Sequence, residues 1–273
     1  MVHMNLVFDV GGTNMRVAVS RDGVEFFGEP IVEKTPHGFE DGAALLQKCA
    51  NALAKGENIT HVAVGVPGAL DREKKILVSA PNLPGWAGKP IAERLEKIFS
   101  LPVMIENDAA LAGIGEATRG AGKGFEVVAY LTVSTGVGGA RIRHGVLDRG
   151  MYSFEPGNQI IDSGKTLEEF IGGASLEKRL GKKPEDVDDS SVWNDVAQKL
   201  AVGIHNIIVH WSPNIVVLSG PVAARLSLAN IRAEVKKMLT IYPEAPKIEF
   251  AVLGDSAGLI GALEYIRLDN THR

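Results

Sequence analysis

Two glycine-rich turns carry residue types that suit phosphate binding. Each joins two apolar segments, within 5–20 and within 127–143. Glycine allows positive φ and lets backbone N–H groups converge without an obstructing Cβ, so such a turn can hold an anion. The candidates are Asp9, Gly11, Gly12 and Thr13 in the first turn and Thr135 and Gly136 in the second. We expect the two turns to hold a nucleoside triphosphate, with Asp9 where a Mg²⁺-phosphate group would need a carboxylate.

An ordinary tight hairpin is the alternative for either turn alone, and the repetition of the pattern favours phosphate binding. The familiar phosphate motifs do not apply. Gly122-Lys123 lacks the distant glycine and the following hydroxyl residue of a Walker A loop. Arg141 stands where the dinucleotide fingerprint needs its third glycine.

A third polar group, Glu106-Asn107-Asp108, ends an apolar strand and begins a helix. Asp108 could simply cap that helix. Beside two phosphate turns, however, a carboxylate can accept the proton of an attacking hydroxyl, as phosphoryl transfer to an alcohol requires. This context favours a catalytic role for Asp108 over a cap alone.

Alternating strand and helix patterns must position these residues, which indicates an α/β fold with a mixed sheet. Glycine and proline make 79–88 an irregular loop, and 147–165 is also predicted to be irregular. The predicted strands are 24–32, 61–66, 102–106, 214–219 and 248–252, beside the two hairpins, and the predicted helices include 38–55, 90–99, 108–117, 192–211, 231–239 and 256–267.

Composition narrows the class of protein. The 273 residues are 45% hydrophobic, enough for two modest cores, and the repeated hairpin favours two domains. A net charge of −4 does not indicate nucleic-acid binding. Cys49 is the single cysteine, which excludes an internal disulfide and is typical of a reducing compartment. The sequence contains neither an apolar stretch of membrane-spanning length nor a signal peptide, so we expect a cytoplasmic protein.

The sequence resembles the ROK family of sugar kinases, within the actin-like ATPase superfamily. Asp9-Val-Gly-Gly-Thr-Asn-Met-Arg-Val-Ala18 is similar to the first phosphate motif of that family. Glu106-Asn-Asp-Ala109 resembles its catalytic motif, and Leu131-Thr-Val-Ser-Thr-Gly-Val-Gly-Gly139 its second phosphate motif. Ile215–Ala223 resembles the adenosine-side strand and turn, and Gly254–Ala262 the closing helix. The five matches follow the family order from end to end.

This resemblance implies two α/β domains of duplicated actin-like ATPase, or ribonuclease H-like, architecture with a cleft between them. We predict a smaller domain at 1–112, completed by the C-terminal helix 256–273, and a larger domain at 113–255. The glycine cluster at 113–124 is expected to provide a hinge. We also expect a homodimer.

The resemblance also implies roles for individual residues. Asp108 is expected to be the general base, and Asp9 to place Mg²⁺ through water. Gly220 is expected at the adenosine side of ATP. The residues expected to bind the sugar, besides Asp108, are Gly68, Asn82, Asn107, Glu155, Asn158 and Glu168.

The sequence departs from the family pattern at three places. Asn158 replaces the histidine of the Glu-x-Gly-His motif, and asparagine neither ionises nor binds metal comparably. The cysteine-rich zinc segment is absent, and the short connection 161–166 takes its place, so we expect no zinc. Ser219-Gly220-Pro221 replaces the usual run of glycines in the adenosine-side turn.

The predicted function is an ATP-dependent hexose kinase that converts glucose to glucose 6-phosphate. Kinases of N-acetylhexosamine, mannose or fructose and a polyphosphate glucokinase are alternatives. A noncatalytic sugar-binding regulator is a further alternative. A DNA-binding regulator of this family would need a helix-turn-helix ahead of the first hairpin, where four residues precede Asn5. We therefore expect a hexose and ATP as the ligands.

Overall fold

The structure, a computed structural model, describes residues 4–271. It divides into two compact units. The first unit contains the described residues up to Gly115, together with Arg149–Ser153 and the residues from Asp255 onward. The second unit contains Glu116–Asp148 and Phe154–Gly254.

These units differ from the predicted domains in three respects. The first boundary follows Gly115 and not residue 112. Arg149–Ser153 and Asp255 belong to the first unit, although the prediction placed them in the second. The outermost residues of the predicted first domain, 1–3 and 272–273, lie outside the described residues.

The elements of the chain up to residue 119 are β1 (Met4–Val10), β2 (Asn14–Ser20), β3 (Ile31–Lys34), α1 (Phe39–Ala54), β4 (Ile59–Val66), β5 (Ala69–Leu70), β6 (Leu77–Ser79), α2 (Ile91–Phe99), β7 (Val103–Asn107) and α3 (Asp108–Arg119). The elements that follow are β8 (Val127–Val133), β9 (Val137–Arg143), β10 (Val146–Leu147), β11 (Ile160–Asp162), β12 (Lys165–Thr166), α4 (Leu167–Ile171), α5 (Gly173–Leu180), α6 (Ser190–Trp211), β13 (Ile215–Ser219), α7 (Leu228–Met238), β14 (Lys247–Phe250) and α8 (Ala257–Thr271).

Each unit contains a five-stranded sheet, and the two sheets share one design. The first has the order β3-β2-β1-β4-β7, in which β1 is antiparallel to β2 and parallel to β4, and β4 is parallel to β7. The second has the order β10-β9-β8-β13-β14 with the same pattern of directions. The predicted duplicated α/β architecture is therefore confirmed.

Apolar faces of the helices complete a core in each unit. In α1, Leu46, Cys49 and Ala50 are buried in the core of the first unit, as the helical spacing of its apolar residues predicts. In α6, Leu200 and Ile204 are buried in the core of the second. Across residues 4–271, no helix is both long enough and apolar enough to cross a membrane.

The predicted strand at 24–32 is wrong. Only Ile31 and Val32 of that range lie in a strand, β3. The carboxylate of Asp22 accepts hydrogen bonds from the backbone N–H groups of Val24 and Glu25, at 2.8 and 2.9 Å. This local turn competes with strand pairing, because it uses backbone donors that a sheet would need.

Close packing accounts for a glycine in the predicted hinge. Helix α3 continues without a break through Gly115 to Arg119. A Cβ on Gly115 would lie 2.5 Å from the carbonyl oxygen of Ala257 in α8, and a Cβ on Gly261 would lie 1.7 Å from that of Leu111. The two helices therefore cross at a distance that only glycine permits.

Candidate active site

The parallel strands of the first sheet bring two carboxylates to one edge. Asp9 of β1 pairs in register with Gly65 of β4, which pairs with Glu106 of β7. A Cβ on Gly65 would lie 3.5 Å from the Cα of Asp108 and 3.6 Å from Oδ1 of Asp9. Asp9 and Asp108 therefore flank Gly65 at the carboxyl ends of the strands, where α/β sheets bind ligands.

Asp9 lies in a confined environment. Burial, opposed by the charge of Arg16 and assisted by the Asp255 carboxylate, raises the pKa of Asp9 to about 6. Arg16 lies 4.0 Å from Asp9 and 2.7 Å from Asp255. A Cβ on Gly258 would lie 2.6 Å from Cγ of Asp9, so the first turn of α8 packs directly on this carboxylate.

Glycine in the first phosphate turn allows another loop to pack closely against it. Neither Gly11 nor Gly12 has a positive φ, so the turn does not use the conformational freedom of its glycines. A Cβ on Gly12 would lie 2.8 Å from the Cβ of Asn82. The predicted phosphate turn and the predicted sugar loop are thus in direct contact.

Side-chain and backbone bonds hold this turn in place. The N–H of Gly11 donates to the carbonyl of Asn14 at 2.9 Å. The Thr35 hydroxyl donates to the carbonyl of Gly11 at 2.7 Å, and the Thr35 N–H donates to that of Thr13 at 3.0 Å. The side chain of Thr13 itself is exposed.

A buried tryptophan anchors the loop that carries Asn82. The 3-10 turn Pro84–Trp86 lies within the loop predicted to be irregular. The indole N–H of Trp86 donates to the carbonyl of Pro36 at 3.1 Å, and its ring packs edge-on against Phe39 at 5.4 Å between centroids. Asn82 therefore projects from a rigid loop.

Asn107 caps α3, a role that the sequence suggested for Asp108. Its Oδ1 accepts from the N–H of Ala110 at 3.0 Å, and its Nδ2 donates to the carbonyl of Gly68 at 3.0 Å. The Asp108 carboxylate accepts from the N–H of Ala109 at 2.8 Å. One N–H and one lone pair of the Asn107 amide still have capacity for a further bond.

Glu106, for which the sequence indicates no separate role, is completely buried. Its Oε1 accepts from the N–H of Asn107 at 3.0 Å. Its Oε2 forms an ion pair with Lys74 and lies 3.4 Å from the Tyr265 hydroxyl. Burial, and then the charge of Glu106, raise the pKa of Tyr265. The sequence feature that could have drawn attention to Glu106 is its position as an acidic residue in an otherwise apolar strand.

Distant segments supply the partners of Glu106, so no local pattern could have indicated them. Lys74 has a left-handed backbone (φ 57°) in a turn. The Asp71 carboxylate organises that turn, because it accepts from the N–H groups of Lys75 and Ile76 at 2.6 and 2.9 Å. The Arg149 guanidinium donates to the Tyr265 hydroxyl at 2.9 Å.

In the second unit, the turn between β8 and β9 contains Thr135 and Gly136. Glu168, at the start of α4, accepts from the N–H of Val137 at 2.7 Å. A Cβ on Gly136 would lie 2.5 Å from Oε2 of Glu168. A carboxylate predicted to bind sugar is therefore placed directly on the second phosphate turn.

A cavity of about 240 Å³ adjoins this turn. Its walls include Thr135, Ala174 at the start of α5, and Pro221. Gly220 has φ of 94°, and a Cβ there would lie 2.3 Å from the carbonyl oxygen of Val133. Glycine is therefore required at this position, and it lets Pro221 approach the cavity.

Glu155 and Asn158 lie at the two ends of the 3-10 turn Pro156–Asn158. A Cβ on Gly157 would lie 2.1 Å from the carbonyl oxygen of Val137, so this turn packs against β9. Loss of hydration, and then the charge of Glu168, raise the pKa of Glu155. Both predicted sugar-binding carboxylates of the second unit are thus electrostatically coupled.

In the described part of the chain, no group of three or more His, Cys, Asp and Glu side chains is arranged to hold a metal ion. Mg²⁺ in nucleotide sites commonly uses one or two carboxylates together with substrate phosphates. The Asp9 carboxylate fits that requirement.

Comparisons with known proteins cover nearly the whole chain. The model of the ROK family matches residues 6–268. A glucokinase of Thermotoga maritima is 26% identical over 95% of this chain and 96% of its own length. A beta-glucoside kinase of Listeria monocytogenes is 26% identical over 97% of this chain and 98% of its own.

Two solved structures share the fold. A ROK hexokinase from Thermus thermophilus has a TM-score of 0.80 and 29% identity, over 98% of this chain and 99% of that one. A ROK glucokinase from Streptomyces griseus, solved in complex with glucose and AMPPNP, has a TM-score of 0.81 and 23% identity, over 97% and 99%. The sequence motifs, the duplicated sheets and these matches agree: the chain belongs to the ROK family and is a sugar kinase.

Proposed function

We propose that the protein transfers the γ-phosphate of ATP to a hexose hydroxyl, with Asp108 as the general base. The observation that carries this proposal is the placement of Asp9 and Asp108 on either side of Gly65. One carboxylate would then serve the metal-phosphate group of the donor, and the other would serve the hydroxyl of the acceptor.

In the proposed reaction, the Asp108 carboxylate accepts the proton of the sugar hydroxyl. The hydroxyl oxygen forms a bond to the γ-phosphorus, the bond from that phosphorus to the β–γ bridging oxygen breaks, and ADP leaves. Asp9 would hold Mg²⁺ through water. The ion would neutralise charge that develops on the phosphates.

The nucleotide is proposed to lie on the two glycine turns. Gly11, Gly12 and Thr13 would contact phosphates from the first unit. In the second unit the proposed contacts are Thr135 and Gly136 with phosphate and Gly220 at the adenosine side. The Streptomyces griseus relative, which holds AMPPNP, supports ATP as the donor.

Glucose, phosphorylated at C6, is the acceptor that we propose first. The proposed sugar contacts are Gly68, Asn82, Asn107, Asp108, Glu155, Asn158 and Glu168. Amides and carboxylates suit a polyol, because each can bind vicinal hydroxyls. Since the Gly68 carbonyl already accepts from Asn107, we assign Gly68 chiefly to placing that amide.

A coupled assay with a panel of sugars and two donors tests this proposal. Purified protein would be incubated with glucose, mannose, fructose or N-acetylhexosamines, and with either MgATP or polyphosphate. We expect ADP formation that depends on hexose. Turnover with polyphosphate but not with ATP would identify polyphosphate as the donor. A higher kcat/KM for another sugar than for glucose would identify that sugar as the preferred acceptor. Sugar binding without turnover under every condition would support a noncatalytic regulator instead.

A further inference from the structure

Gln159 follows the 3-10 turn Pro156–Asn158 and takes no part in the proposed reaction. The two ends of this turn carry two of the proposed sugar contacts, Glu155 and Asn158. Both of those residues are exposed, whereas Gln159 is half-buried. An exposed binding residue depends on its backbone for its position, because few neighbouring side chains hold it. What fixes the turn therefore fixes both contacts.

The side-chain amide of Gln159 bonds in two directions. Its Nε2 donates to the carbonyl of Pro156, the first residue of the turn, at 2.8 Å. Its Oε1 accepts from Nδ2 of Asn206 in α6 at 2.9 Å, and Asn206 lies 47 residues further along the chain. One side chain thus fastens the 3-10 turn to a helix that is distant in sequence.

Helix α6 gives this bond a firm support. Ile204, Ile207 and Ile208, on either side of Asn206, are buried in the core of the second unit. The turn also approaches the helix closely, since a Cβ on Gly203 would lie 3.4 Å from Nε2 of Gln159. The Asn206 amide is therefore a well-placed partner for Gln159.

The backbone of Gln159 makes a separate contact. Its carbonyl accepts from the N–H of Leu167, the first residue of α4, at 2.9 Å. The next residue, Glu168, accepts from the N–H of Val137 at 2.7 Å. Neither bond involves the Gln159 side chain. A change of that side chain should therefore disturb the 3-10 turn and leave Glu168 in place.

We propose that Gln159 is a positioning residue for sugar binding. Its amide holds the 3-10 turn against α6, so that Glu155 and Asn158 meet the acceptor already ordered. Such ordering strengthens binding equally before and during the reaction, so it lowers the sugar KM without changing kcat. This inference rests on the proposed kinase function and on the assignment of Glu155 and Asn158 to the sugar.

Steady-state kinetics of Gln159→Met test the inference, with MgATP and glucose, or with the panel sugar of higher kcat/KM if there is one. Methionine has a similar length but has neither the N–H donor nor the carbonyl acceptor of glutamine. We expect the sugar KM to rise by about three- to tenfold, as the loss of one or two hydrogen bonds gives. Asn206→Ala should act in the same direction. The kcat and the KM for ATP should change by less than about twofold.

Asn214→Ala is the matched control for a loss of stability. Oδ1 of Asn214 also makes a side-chain bond to backbone, because it accepts from the N–H of Val127, at the start of β8, at 2.8 Å. The control should lower the unfolding midpoint, as Gln159→Met does, and leave the sugar KM unchanged. An equal rise of the sugar KM in both variants would overturn the positioning role.

Double variants identify the residues through which Gln159 acts. The effects of Gln159→Met and Asn158→Ala on the sugar KM should be less than additive, because both weaken the same contact. The same holds for Gln159→Met with Glu155→Gln. Gln159→Met and Glu168→Gln should be additive. Additivity of Gln159→Met with both changes in the 3-10 turn would overturn the inference.

Calorimetric titration of the sugar without nucleotide separates this inference from the proposed function. Phosphorylation with an unchanged sugar KM in Gln159→Met would overturn the positioning role and leave the kinase proposal intact. Failure of every sugar to react would overturn the kinase proposal. In that case weaker sugar binding by Gln159→Met than by the unchanged protein would still support the positioning role. Equal binding, or binding by neither protein, would overturn it.

Discussion

At the scale of residues, the surroundings of the carboxylates decide what each can do. Asp9 packs against Gly258 and has a raised pKa, whereas Glu106 is fully buried and paired with Lys74. The Asp108 carboxylate lies at the first residue of α3, where Asn107 already serves as the cap. Asp108 is therefore not required as the cap, which is compatible with its proposed role as the general base.

Replacing Asp108 with Asn should keep the fold and lower kcat by about 10²–10⁴, the usual contribution of a general base. The amide is similar in shape but cannot accept the hydroxyl proton. Coupled turnover at saturating sugar measures the effect, with circular dichroism melting to confirm folding. Asp188→Asn, a fully exposed change, is the control. Near-normal turnover in Asp108→Asn would contradict the assignment.

Asp9→Asn should stabilise the protein at pH 8 in the absence of metal and nucleotide. Burial raises the folded pKa of Asp9 to about 6 from an ordinary value of 3.8. Its ionised form therefore lowers the free energy of unfolding as pH rises from about 4 to about 6, and the loss persists at higher pH. We expect a gain of roughly 2–3 kcal/mol in the variant.

Urea unfolding at pH 8 and pH 4, in buffer with a chelator, measures this difference. Most of the gain in Asp9→Asn should disappear at pH 4, where the carboxyl is protonated in the folded protein and only about half ionised in the unfolded chain. Arg16 keeps Asp255 as a partner in the variant, so a lost ion pair should not mask the effect. An equal gain at both pH values would show that ionisation is not its cause.

Lys74→Met should lower both stability and kcat, because it leaves the buried Glu106 carboxylate without its cation. We expect a loss of about 1–3 kcal/mol, less than for a fully buried pair since Lys74 is partly exposed. The neighbouring Lys75→Met is a matched control, because Lys75 pairs with Glu73 in solvent. The urea midpoint for unfolding of the Lys75→Met variant should equal that of the unchanged protein.

A second change tests whether Glu106 acts through its charge. Adding Glu106→Gln to Lys74→Met should recover stability, because no buried charge then remains. If the double variant is as unstable as the single one, the lost packing of Lys74 explains the effect instead. Sugar KM should change less than kcat, as expected for a group that positions Asn107 and Asp108.

At the scale of elements, close contacts between glycines and backbone set how the pieces meet. Gly261 lets α8 cross α3, and Gly12 lets the sugar loop touch the first phosphate turn. Gly157 likewise lets the 3-10 turn Pro156–Asn158 pack closely against β9. These contacts place the candidate residues.

Gly261→Ala should destabilise the protein although alanine favours helices. The added methyl would lie within bonding distance of the Leu111 carbonyl oxygen, so α3 and α8 must move apart. Overpacking costs about 1–3 kcal/mol, against a gain of about 0.5–1 kcal/mol in helix propensity. Thermal melting measures the net loss, with the exposed Lys48→Ala in α1 as the control. An unchanged melting temperature would show that the crossing can relax.

At the scale of the whole molecule, the two units repeat one sheet design, and each carries one glycine turn after its first strand. The hairpin β11–β12 lies in the connection where the sequence resemblance predicts the loss of the family's zinc segment. A short hairpin with one acidic residue, Asp162, offers little to a zinc ion, which prefers thiolate and imidazole ligands.

The purified protein should therefore contain no stoichiometric zinc. Metal analysis by mass spectrometry measures the content, and treatment with a chelator should leave the melting temperature unchanged. One zinc per chain that survives dialysis, or a large loss of stability on chelation, would contradict this expectation. The expected homodimer is open to sedimentation analysis of the same sample.

The sequence by itself determined the family, the duplicated α/β plan and the turn and strand-end motifs, because apolar periodicity and glycine spacing are local. It could not supply the partners of Glu106, since Lys74 and Tyr265 reach it only after β5–β6 and α8 have packed.

Only the tertiary structure decided how several predicted residues are used. Glu168 bonds to the second phosphate turn, and Asn107 rather than Asp108 caps α3, because side chains choose among partners that folding brings within reach. The contact between the rings of Phe154 and Trp211, which lie far apart in sequence, likewise forms only in the folded chain. Local patterns specify elements, whereas contacts between distant elements specify the site.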